Sequence, residues 1–415
     1  MAISLERLPL AEALGRWLAP VLPLPEEAVP APLAAGRVLA RPVGAWRALP
    51  PFTRSAVDGY AVRAVDLGGE RPLPVRAEAV WAGRVAPPLA PGQAAMVATG
   101  AALPAGADAV VPVEIASVVD GCLTAVRPVA AGANVRAEGE DVAAGALAVA
   151  AGERVHADRL PLVMAAAGGR AVLVGRRPRV RILPIGDELA PPGRAPAGPQ
   201  VMEVAGSALA MRARAAGAEA ELLAPLMDDR EALAAALAVA TADTDLVVTV
   251  GGASVGERDH AVAALLAAGG EVRFHGVALR PGTPAFGGHL GRAVVLGLPG
   301  NPVAALTAWQ LLGVPALCRL CGEDAPAPVR AVLAAASEKR PVRDDRYLRA
   351  GVWAQAGVLR ARIWPGQNAG MLVPLARTNA LVRHPAGVGR LEAGSVVEAQ
   401  LTGPLAEGAP PWATE

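Results

Sequence analysis

The sequence predicts a multidomain protein of the α/β plus β class. Its middle part contains short apolar, β-branched runs that each end at glycine and lead into a helical pattern, which predicts a doubly wound α/β domain. Short alternating runs divided by glycine and proline lie on either side of this region. They predict a strand-rich domain before it and a compact β-barrel after it. Helical and proline-broken segments near the N-terminus predict a linker domain.

Changes in composition mark the domain boundaries. Residues 1–50 and 142–178 together form the N-terminal helical linker domain, into which residues 51–141 insert as the strand-rich domain. Residues 179–325 form the α/β domain. The Pro/Ala-rich segment EDAPAPVR then separates it from a C-terminal β-barrel over residues 326–415.

Composition argues against several classes of function. A formal net charge of +1 argues against a surface dedicated to nucleic acid. The N-terminus lacks the apolar core of a signal peptide, and no run approaches the ~18 apolar residues of a membrane span. Three cysteines agree with a reducing compartment. We therefore expect a cytoplasmic protein that binds neither nucleic acid nor a membrane.

The helices follow from periodicity, caps and breakers. HADRLPLVMAAAGG predicts a helix that a glycine pair closes. In the α/β domain, Asp228 or Asp229 can cap one amphipathic helix, which leaves the other aspartate free to face a site. The last helix of this domain begins at Asn301, and Pro315 predicts a kink within it.

The apolar run Leu246–Val250 predicts a buried strand that stops at Gly251 and Gly252. Taken alone, a glycine pair after a strand is more typical of a tight turn than of a site. Ser254 and Gly256 follow at once, however, in a loop of small and acidic residues that lets a ligand approach the backbone.

Two further strands end in a similar way. RVRILPIGDEL ends in Asp187 and Glu188, and AVVLGLPGNPVAAL runs through Pro-Gly-Asn-Pro into a helix. In an open doubly wound sheet, ligands bind in the crevice outside the carboxyl ends of the strands. The three strand ends therefore predict one pocket, where glycine-loop amides and the helix start at Asn301 could hold a phosphate.

The strand-rich domain carries further candidates. Asp58 lies at a turn before a strand, and on pattern alone this is more typical of a hairpin than of a site. Thr99 ends another strand. The stretch NVRAEGEDV brings Arg136 close to Asp141 in a glycine-punctuated loop, which a solvated acidic turn explains as well as a site does.

Carboxylates are concentrated in these loops rather than on helix faces: Asp58, Asp141, Asp187, Glu188, Asp228 and Asp259. Several carboxylates repel one another unless a cation lies among them, and oxygen-rich sites of this kind suit Mg²⁺. Mg²⁺ also binds phosphate oxygens and neutralises the charge that develops when a phosphoanhydride is cleaved. We therefore expect a magnesium-dependent reaction.

Five segments carry a resemblance to a known family: PPFTRSAVDGYAVR, ATGAALPAGADAVVPVE, ILPIGDEL, TVGGASVGERD and LGLPGNP. In this order, over almost the whole chain, they resemble the molybdopterin molybdenumtransferases of the MoeA type, which include the C-terminal domain of gephyrin. The resemblance implies that the α/β domain binds molybdopterin. It further implies a reaction in which adenylylated molybdopterin and molybdate give molybdenum cofactor and AMP.

The resemblance also implies roles for individual residues. The implied catalytic residues are Asp58, Asp141, Glu188, Asp259 and Arg280. The residues implied to bind molybdopterin or its nucleotide are Thr99, Arg136, Asp187, Asp228, Gly251, Gly252, Ser254, Gly256, Pro299, Gly300, Asn301 and Pro302. The implied magnesium ligands are Glu188, Asp228 and Asp259.

Members of this family form homodimers, so the resemblance implies a dimer here as well. Asp58, Thr99 and Asp141 of one subunit would act with Ser254 and Asp259 of the other. Proteins of the earlier steps of cofactor synthesis and the recipient molybdoenzymes are the implied protein partners.

The chain departs from the family pattern where anions are held. Pro184 and Ile185 stand in place of Ser-Thr, which removes two hydroxyl donors. Gly276, Arg280 and Thr283 stand at the positions of three family lysines. Only Arg280 keeps a positive charge, and its group is a planar guanidinium rather than a compact ammonium.

Ahead of the Asp58 motif, Thr53 and Arg54 stand where the family has Asp-Asn. Arg54 is therefore a candidate for a relocated cation. The retained carboxylates favour an active molybdenumtransferase, and the missing lysines favour a non-catalytic paralogue that binds molybdopterin or its nucleotide as a carrier or assembly factor. The sequence does not distinguish molybdate from tungstate, and it does not identify the recipient molybdoenzyme.

Overall fold

A computed structural model describes residues 6–68, 71–253 and 260–413. The chain forms two compact units, of which the smaller is Glu27–Val174 and the larger combines Met1–Glu26 with Gly175–Glu415. Each unit has hydrophobic clusters of its own.

The smaller unit is rich in short strands, as predicted. They are Glu26–Pro30, Val43–Gly44, Arg54–Ser55, Gly59–Val62, Leu73–Pro74, Ala95–Val97, Ala109–Pro112, Ala116–Val119, Cys122–Ala125, Val135–Arg136, Leu147–Val149 and Ala171–Gly175. Its α-helix, Leu160–Ala167, ends at Gly168 in the left-handed conformation, which confirms the predicted glycine closure. Short 3₁₀ turns lie at Ala31–Ala34, Ala64–Gly68 and Val113–Ile115.

The larger unit contains a six-stranded sheet whose strands we number β1 to β6 in chain order: Arg179–Pro184, Glu219–Leu222, Leu246–Val250, Glu271–His275, Phe286–Leu290 and Ala293–Leu298. Their order across the sheet is β2-β1-β3-β6-β5-β4. Neighbouring strands are parallel from β2 through β1 and β3 to β6, and β5 runs antiparallel to both β6 and β4. The predicted central strand is therefore observed as β3, with parallel neighbours on both sides.

Helices cover both faces of this sheet. Because side chains alternate along β3, Leu246 and Val248 pack on one face and Val247 packs on the other. The first face is covered by the helices Leu10–Leu18, Ala205–Ala215 and Pro302–Cys321, and the second by Arg230–Thr241 and Ala261–Ala267. The doubly wound fold is confirmed.

The helix Pro302–Cys321 contains a π turn, Trp309–Gly313, between the α-helical segments Pro302–Ala308 and Val314–Cys321. Pro315 has no N–H to donate, so the predicted kink takes the form of a widened turn just before it. By length and composition alone, this helix is long and apolar enough to cross a membrane. Within the protein, 78% of its most apolar window is buried, as in a core helix.

A closed five-stranded barrel follows, as predicted, with the strands Val329–Leu333, Asp345–Gln355, Val358–Ile363, Ala380–His384 and Val396–Leu401. The long strand Asp345–Gln355 closes the ring because it pairs with both Val358–Ile363 and Ala380–His384. The strand Leu279–Arg280 of the α/β region adds in parallel to the start of that long strand. Shorter elements of the larger unit are Leu189–Ala190, Val201–Met202, Ser337–Glu338, Val373–Arg377, Arg390–Leu391 and Pro411–Ala413.

Trp17 anchors the N-terminal helix on the α/β sheet. Its side chain is fully buried, its Nε1–H donates to the carbonyl of Gly288 at 3.1 Å, and its ring meets Phe274 edge-on.

We expect Trp17→Phe to lower the free energy of unfolding by about 1–3 kcal/mol, because it leaves a gap and deprives a buried carbonyl of its donor. The measurement is urea unfolding. Trp81→Phe is the matched control, because Trp81 is 57% exposed; an equal loss in both variants would contradict the role of Trp17.

Candidate functional site

The three predicted strand ends lie side by side. In the parallel register, Pro184 of β1 pairs with Val250 of β3, and Val250 pairs with Leu298 of β6. Backbone hydrogen bonds continue one step beyond the strands, from Ile185 N to Val250 O at 2.8 Å and from Gly251 N to Leu298 O at 2.9 Å. The loops that begin at residues 185, 251 and 299 therefore leave the sheet at one edge, as a ligand crevice requires.

Gly251 fits this edge for a steric reason. Its φ is +109°, and a Cβ there would overlap the carbonyl oxygen of Ile185 in the neighbouring loop. Gly300 of the third loop lies against it, since a Cβ at Gly300 would come within 3.5 Å of the Gly251 Cα. The buried His275 holds the next residue of the glycine loop through a 3.0 Å hydrogen bond between Nε2 and the Ala253 carbonyl. The backbones of the first and third loops thus both contact the glycine loop.

The start of the helix after Asn301 is less available than the sequence analysis expected. The Asn301 Oδ1 accepts hydrogen bonds from the N–H groups of Val303 at 3.0 Å and Ala304 at 3.1 Å, and Pro302 has no N–H. A phosphate or pterin would have to displace the Asn301 side chain to reach these donors.

Three carboxylates gather around the loop after β1. Asp187 Oδ1 accepts from the backbone N–H of Asp228 at 3.1 Å. Burial raises the pKa of Asp228, and the negative charges of Asp187 and Glu188 raise it further. Asp229 accepts from Ala232 N at 2.7 Å as the cap of helix Arg230–Thr241, which confirms the predicted capping by one member of this aspartate pair.

The carboxylates of Asp187, Glu188 and Asp228 are chemically suited to Mg²⁺, but they do not form a complete metal site. All the donors in this cluster are carboxylate oxygens, which Mg²⁺ prefers. Over residues 6–68, 71–253 and 260–413, however, no group of three or more His, Cys, Asp or Glu side chains is arranged to hold a metal ion. Asp259, Ser254 and Gly256, which the sequence analysis placed in this site, lie outside the described residues.

Arg280 makes an ion pair that the sequence did not reveal. Its Nε donates to Asp344 Oδ2 at 2.7 Å, and Arg7 Nη1 lies 3.6 Å from the same oxygen. Asp344 is 2% exposed, whereas both arginine side chains are about half exposed. Because Asp344 lies 64 residues from Arg280, just before the barrel strand Asp345–Gln355, no local pattern connects them. The terminal nitrogens of Arg280 remain able to contact an anion.

The other two lysine positions differ in what they would tolerate. Gly276 has a φ of +97°, so a lysine there would be strained. Thr283 is partly exposed and donates its hydroxyl to the Leu279 carbonyl at 2.6 Å. Restoring a family lysine is thus conformationally feasible at Thr283 and unfavourable at Gly276.

In the smaller unit, Asp58 and Thr99 form a pair. The Asp58 Oδ1 accepts from the Thr99 N–H at 2.7 Å and from its hydroxyl at 2.9 Å. These bonds, the backbone one first, hold the pKa of Asp58 below its ordinary value, although the carboxylate is fully exposed. A hairpin turn is a local structure, whereas the residue that Asp58 bonds lies 41 positions away.

A cavity of about 930 Å³ in the same unit brings together Arg54, Arg136 and Asp141. Its remaining lining residues are Leu49, Pro50, Pro51, Glu140, Asp158, Pro161, Leu162 and Ala165. Arg136 bonds Glu140 at 3.2 Å in the predicted glycine-punctuated loop. Asp58 and Thr99 are connected to the cavity through the backbone, because Gly100 N bonds Ser55 O next to Arg54. Each unit thus presents its own group of predicted site residues.

Family models match three consecutive segments of the chain. The MoeA N-terminal region (domain I and II) matches residues 8–168, a probable molybdopterin binding domain matches residues 181–319, and the MoeA C-terminal region (domain IV) matches residues 330–402.

Relatives match over most of their length. The chain is 37% identical over 386 residues to molybdopterin molybdenumtransferase 2 of Mycobacterium tuberculosis (strain ATCC 25618 / H37Rv), covering 89% of this chain and 93% of that protein. It is 31% identical over 375 residues to the molybdopterin molybdenumtransferase of Bacillus subtilis (strain 168), covering 88% and 87%. Among solved structures, a molybdopterin biosynthesis moea protein from Pyrococcus horikosii superposes with a TM-score of 0.77 at 32% identity, covering 96% of this chain and 99% of the other.

Proposed function

The chain belongs to the molybdopterin molybdenumtransferase family of molybdenum cofactor biosynthesis, and from this premise we propose that it inserts molybdate into adenylylated molybdopterin and releases AMP. The observation that carries the proposal is the edge of the α/β sheet. Three adjacent strand ends bring a close-packed glycine backbone and the carboxylates Asp187, Glu188 and Asp228 to one place. The glycine backbone lets the pterin nucleotide come close to the chain. The carboxylates can hold a cation that binds its phosphate groups.

In this proposal the larger unit binds the pterin nucleotide. The backbone of Gly251 and Gly252, with Ser254 and Gly256 beyond it, faces the pterin and its phosphate, and the turn from Pro299 to Pro302 forms the opposite wall. Arg280, held at its Nε by Asp344, presents its terminal nitrogens to an oxyanion. The smaller unit contributes Asp58, Thr99, Arg136 and Asp141.

Mg²⁺ is part of the proposal, with Glu188, Asp228 and Asp259 as its ligands and Asp187 beside them. When bound, it would neutralise phosphate charge during anhydride cleavage. The support is the set of carboxylate oxygens that Asp187, Glu188 and Asp228 bring close together. Since the described carboxylates do not by themselves complete a site, we propose that substrate oxygens supply the remaining ligands.

The test is an assay of purified protein with adenylylated molybdopterin, Mg²⁺ and molybdate, read out as molybdenum cofactor and AMP, together with complementation of a transferase-deficient strain. Formation of both products supports the proposal. If the protein binds the pterin nucleotide tightly but neither forms cofactor nor rescues the strain, the carrier or assembly-factor function replaces it. Parallel assays with tungstate would identify the preferred metal oxyanion.

We also propose a homodimer in which Asp58, Thr99 and Asp141 of one subunit act with Ser254 and Asp259 of the other. An equal mixture of Asp58→Ala and Asp259→Ala subunits, unfolded and refolded together, should regain up to about a quarter of wild-type activity. This follows because random pairing leaves one intact site in about half of the dimers. Each variant alone is the control. A monomer by sedimentation at micromolar concentration, or a mixture as inactive as its components, would refute this arrangement.

The remaining proposals concern setting. We propose a cytoplasmic protein that receives its substrate from proteins of the preceding synthetic steps and passes its product to molybdoenzymes. We also propose that the protein has four domains, at residues 1–50 with 142–178, 51–141, 179–325 and 326–415.

A further inference from the structure

Two arginines face each other directly in the smaller unit. The strands Arg54–Ser55 and Val135–Arg136 pair antiparallel, with Arg54 opposite Arg136 and Ser55 opposite Val135. Directly opposed residues of an antiparallel pair project on the same side with their Cβ atoms about 5 Å apart. Both arginines accordingly line the same 930 Å³ cavity.

Like charges in this register destabilise a strand pair unless another group neutralises them. Glu140 bonds Arg136 at 3.2 Å and the Ala137 N–H at 2.9 Å, so it offsets only one of the two cations. In the described part of the chain, no carboxylate lies within ion-pair distance of Arg54. Asp141 and Asp158 line the cavity without pairing with either arginine.

The backbone fixes Arg54 in place. Ser55 N donates to Ala101 O at 2.9 Å, Leu103 N donates to Thr53 O at 2.9 Å, and Arg54 itself forms a bridge with Ala102. The backbone positions of both arginines are therefore set in the folded protein, so that an anion has to order only their side chains. Two guanidinium forks in one cavity match a ligand with several charged oxygens, which each fork can bind in a bidentate manner.

We propose that Arg54 and Arg136 together form a binding site for a tetrahedral oxyanion, either molybdate or a phosphate group of the pterin nucleotide. The inference rests on the proposed function for the identity of the ligand, but the opposed arginines and their cavity stand without it. The site also supplies a cation in a chain that has lost two of the three family lysines.

The experiment measures dissociation constants rather than turnover. Wild type, Arg54→Gln, Arg136→Gln and the double variant are titrated with molybdate and, separately, with adenylylated molybdopterin. We expect Arg54→Gln to weaken binding of one of the two by about tenfold or more, because a charge-assisted contact is lost. Weaker molybdate binding identifies molybdate as the occupant, and weaker nucleotide binding identifies the phosphate group.

The double variant tests whether the arginines act together. If both bind one anion, the loss of affinity in the double variant should differ from the sum of the single losses, because the sites are coupled. Arg127→Gln is the matched control, since Arg127 is an exposed arginine of the same unit outside the cavity. Without oxyanion, Arg54→Gln should unfold at the same or a higher temperature than wild type, because a like-charge repulsion is removed.

Two outcomes would overturn the proposal: unchanged affinity for both ligands in Arg54→Gln, or equal losses in Arg54→Gln and Arg127→Gln. A lower unfolding temperature with unchanged affinities would assign Arg54 to structure instead. If wild type binds these ligands but forms no cofactor, the proposed function fails while the arginine site is still tested, because neither titration depends on insertion.

Discussion

Replacing Asp58 with alanine should lower the rate of molybdenum insertion at least about 100-fold, the usual effect of removing one group that stabilises charge during a reaction. Asp58 is fully exposed and belongs to none of the hydrophobic clusters of the smaller unit, so the fold should survive the change. The carboxylate is aimed by Thr99, whose N–H and hydroxyl both donate to it. The readout is cofactor formed per minute at saturating substrates, with the unfolding temperature measured in parallel.

Asp58→Asn separates charge from geometry. The amide oxygen can still accept from Thr99, whereas the negative charge is lost, so activity should fall nearly as far as in the alanine variant. Asp120→Asn is the matched control, because Asp120 lies at an exposed hairpin with a φ of +50° that asparagine also adopts. Full cofactor formation by either Asp58 variant at normal expression would show that the carboxylate is dispensable.

The pH dependence has a defined sign. Because the folded pKa of Asp58 lies below the ordinary value of 3.8, its carboxylate stays charged to lower pH than a free aspartate. Its bonds with Thr99 therefore contribute to stability above pH 3.8, and this contribution is lost as the pH falls through the lowered value. A loss of activity between pH 5 and 7 would then have to come from another group.

Arg280→Ala should abolish insertion while leaving the pterin nucleotide able to bind, since the oxyanion then loses its cation. The alanine variant alone is ambiguous, because it also leaves the buried Asp344 with only Arg7, at 3.6 Å. We expect that defect to lower the free energy of unfolding by about 1–3 kcal/mol. Activity and urea unfolding must therefore be measured together.

Three further variants resolve the ambiguity. Arg280→Gln with Asp344→Asn removes both charges and should regain stability without regaining insertion. Asp344→Asn alone retains Arg280 but releases its guanidinium, so it should raise the KM for molybdate more than it lowers kcat. Arg7→Ala removes the other arginine from Asp344 and should change stability only. Normal molybdate dependence in Arg280→Ala would show that the anion is held elsewhere.

The sequence predicted most of the framework and part of the site. The β-branched run Leu246–Val250 is typical of a buried strand, and the structure shows it as one. The two glycines after it predicted that the strand ends in a turn, and both have positive φ. The N-cap at Asp229 was readable because capping is local. The opposition of Arg54 and Arg136 and the pairing of Arg280 with Asp344 depend on registers between distant segments, which no local pattern encodes. The bonds by which Asn301 caps its own helix are local as well, so this cap was also readable from the sequence, although we interpreted the helix start as a ligand contact.

The barrel cannot be regarded as a detachable module. Its first long strand continues a backbone ladder from the α/β region, with Asp345 N bonded to Ala278 O at 3.1 Å and Leu279–Arg280 paired with its opening residues. The adjoining Asp344 fixes the orientation of Arg280. We therefore expect natural variation at the opening of this strand to alter the proposed binding of an anion by Arg280. A shortened chain designed to retain only the pterin-binding region would lose the support of Arg280 along with the barrel.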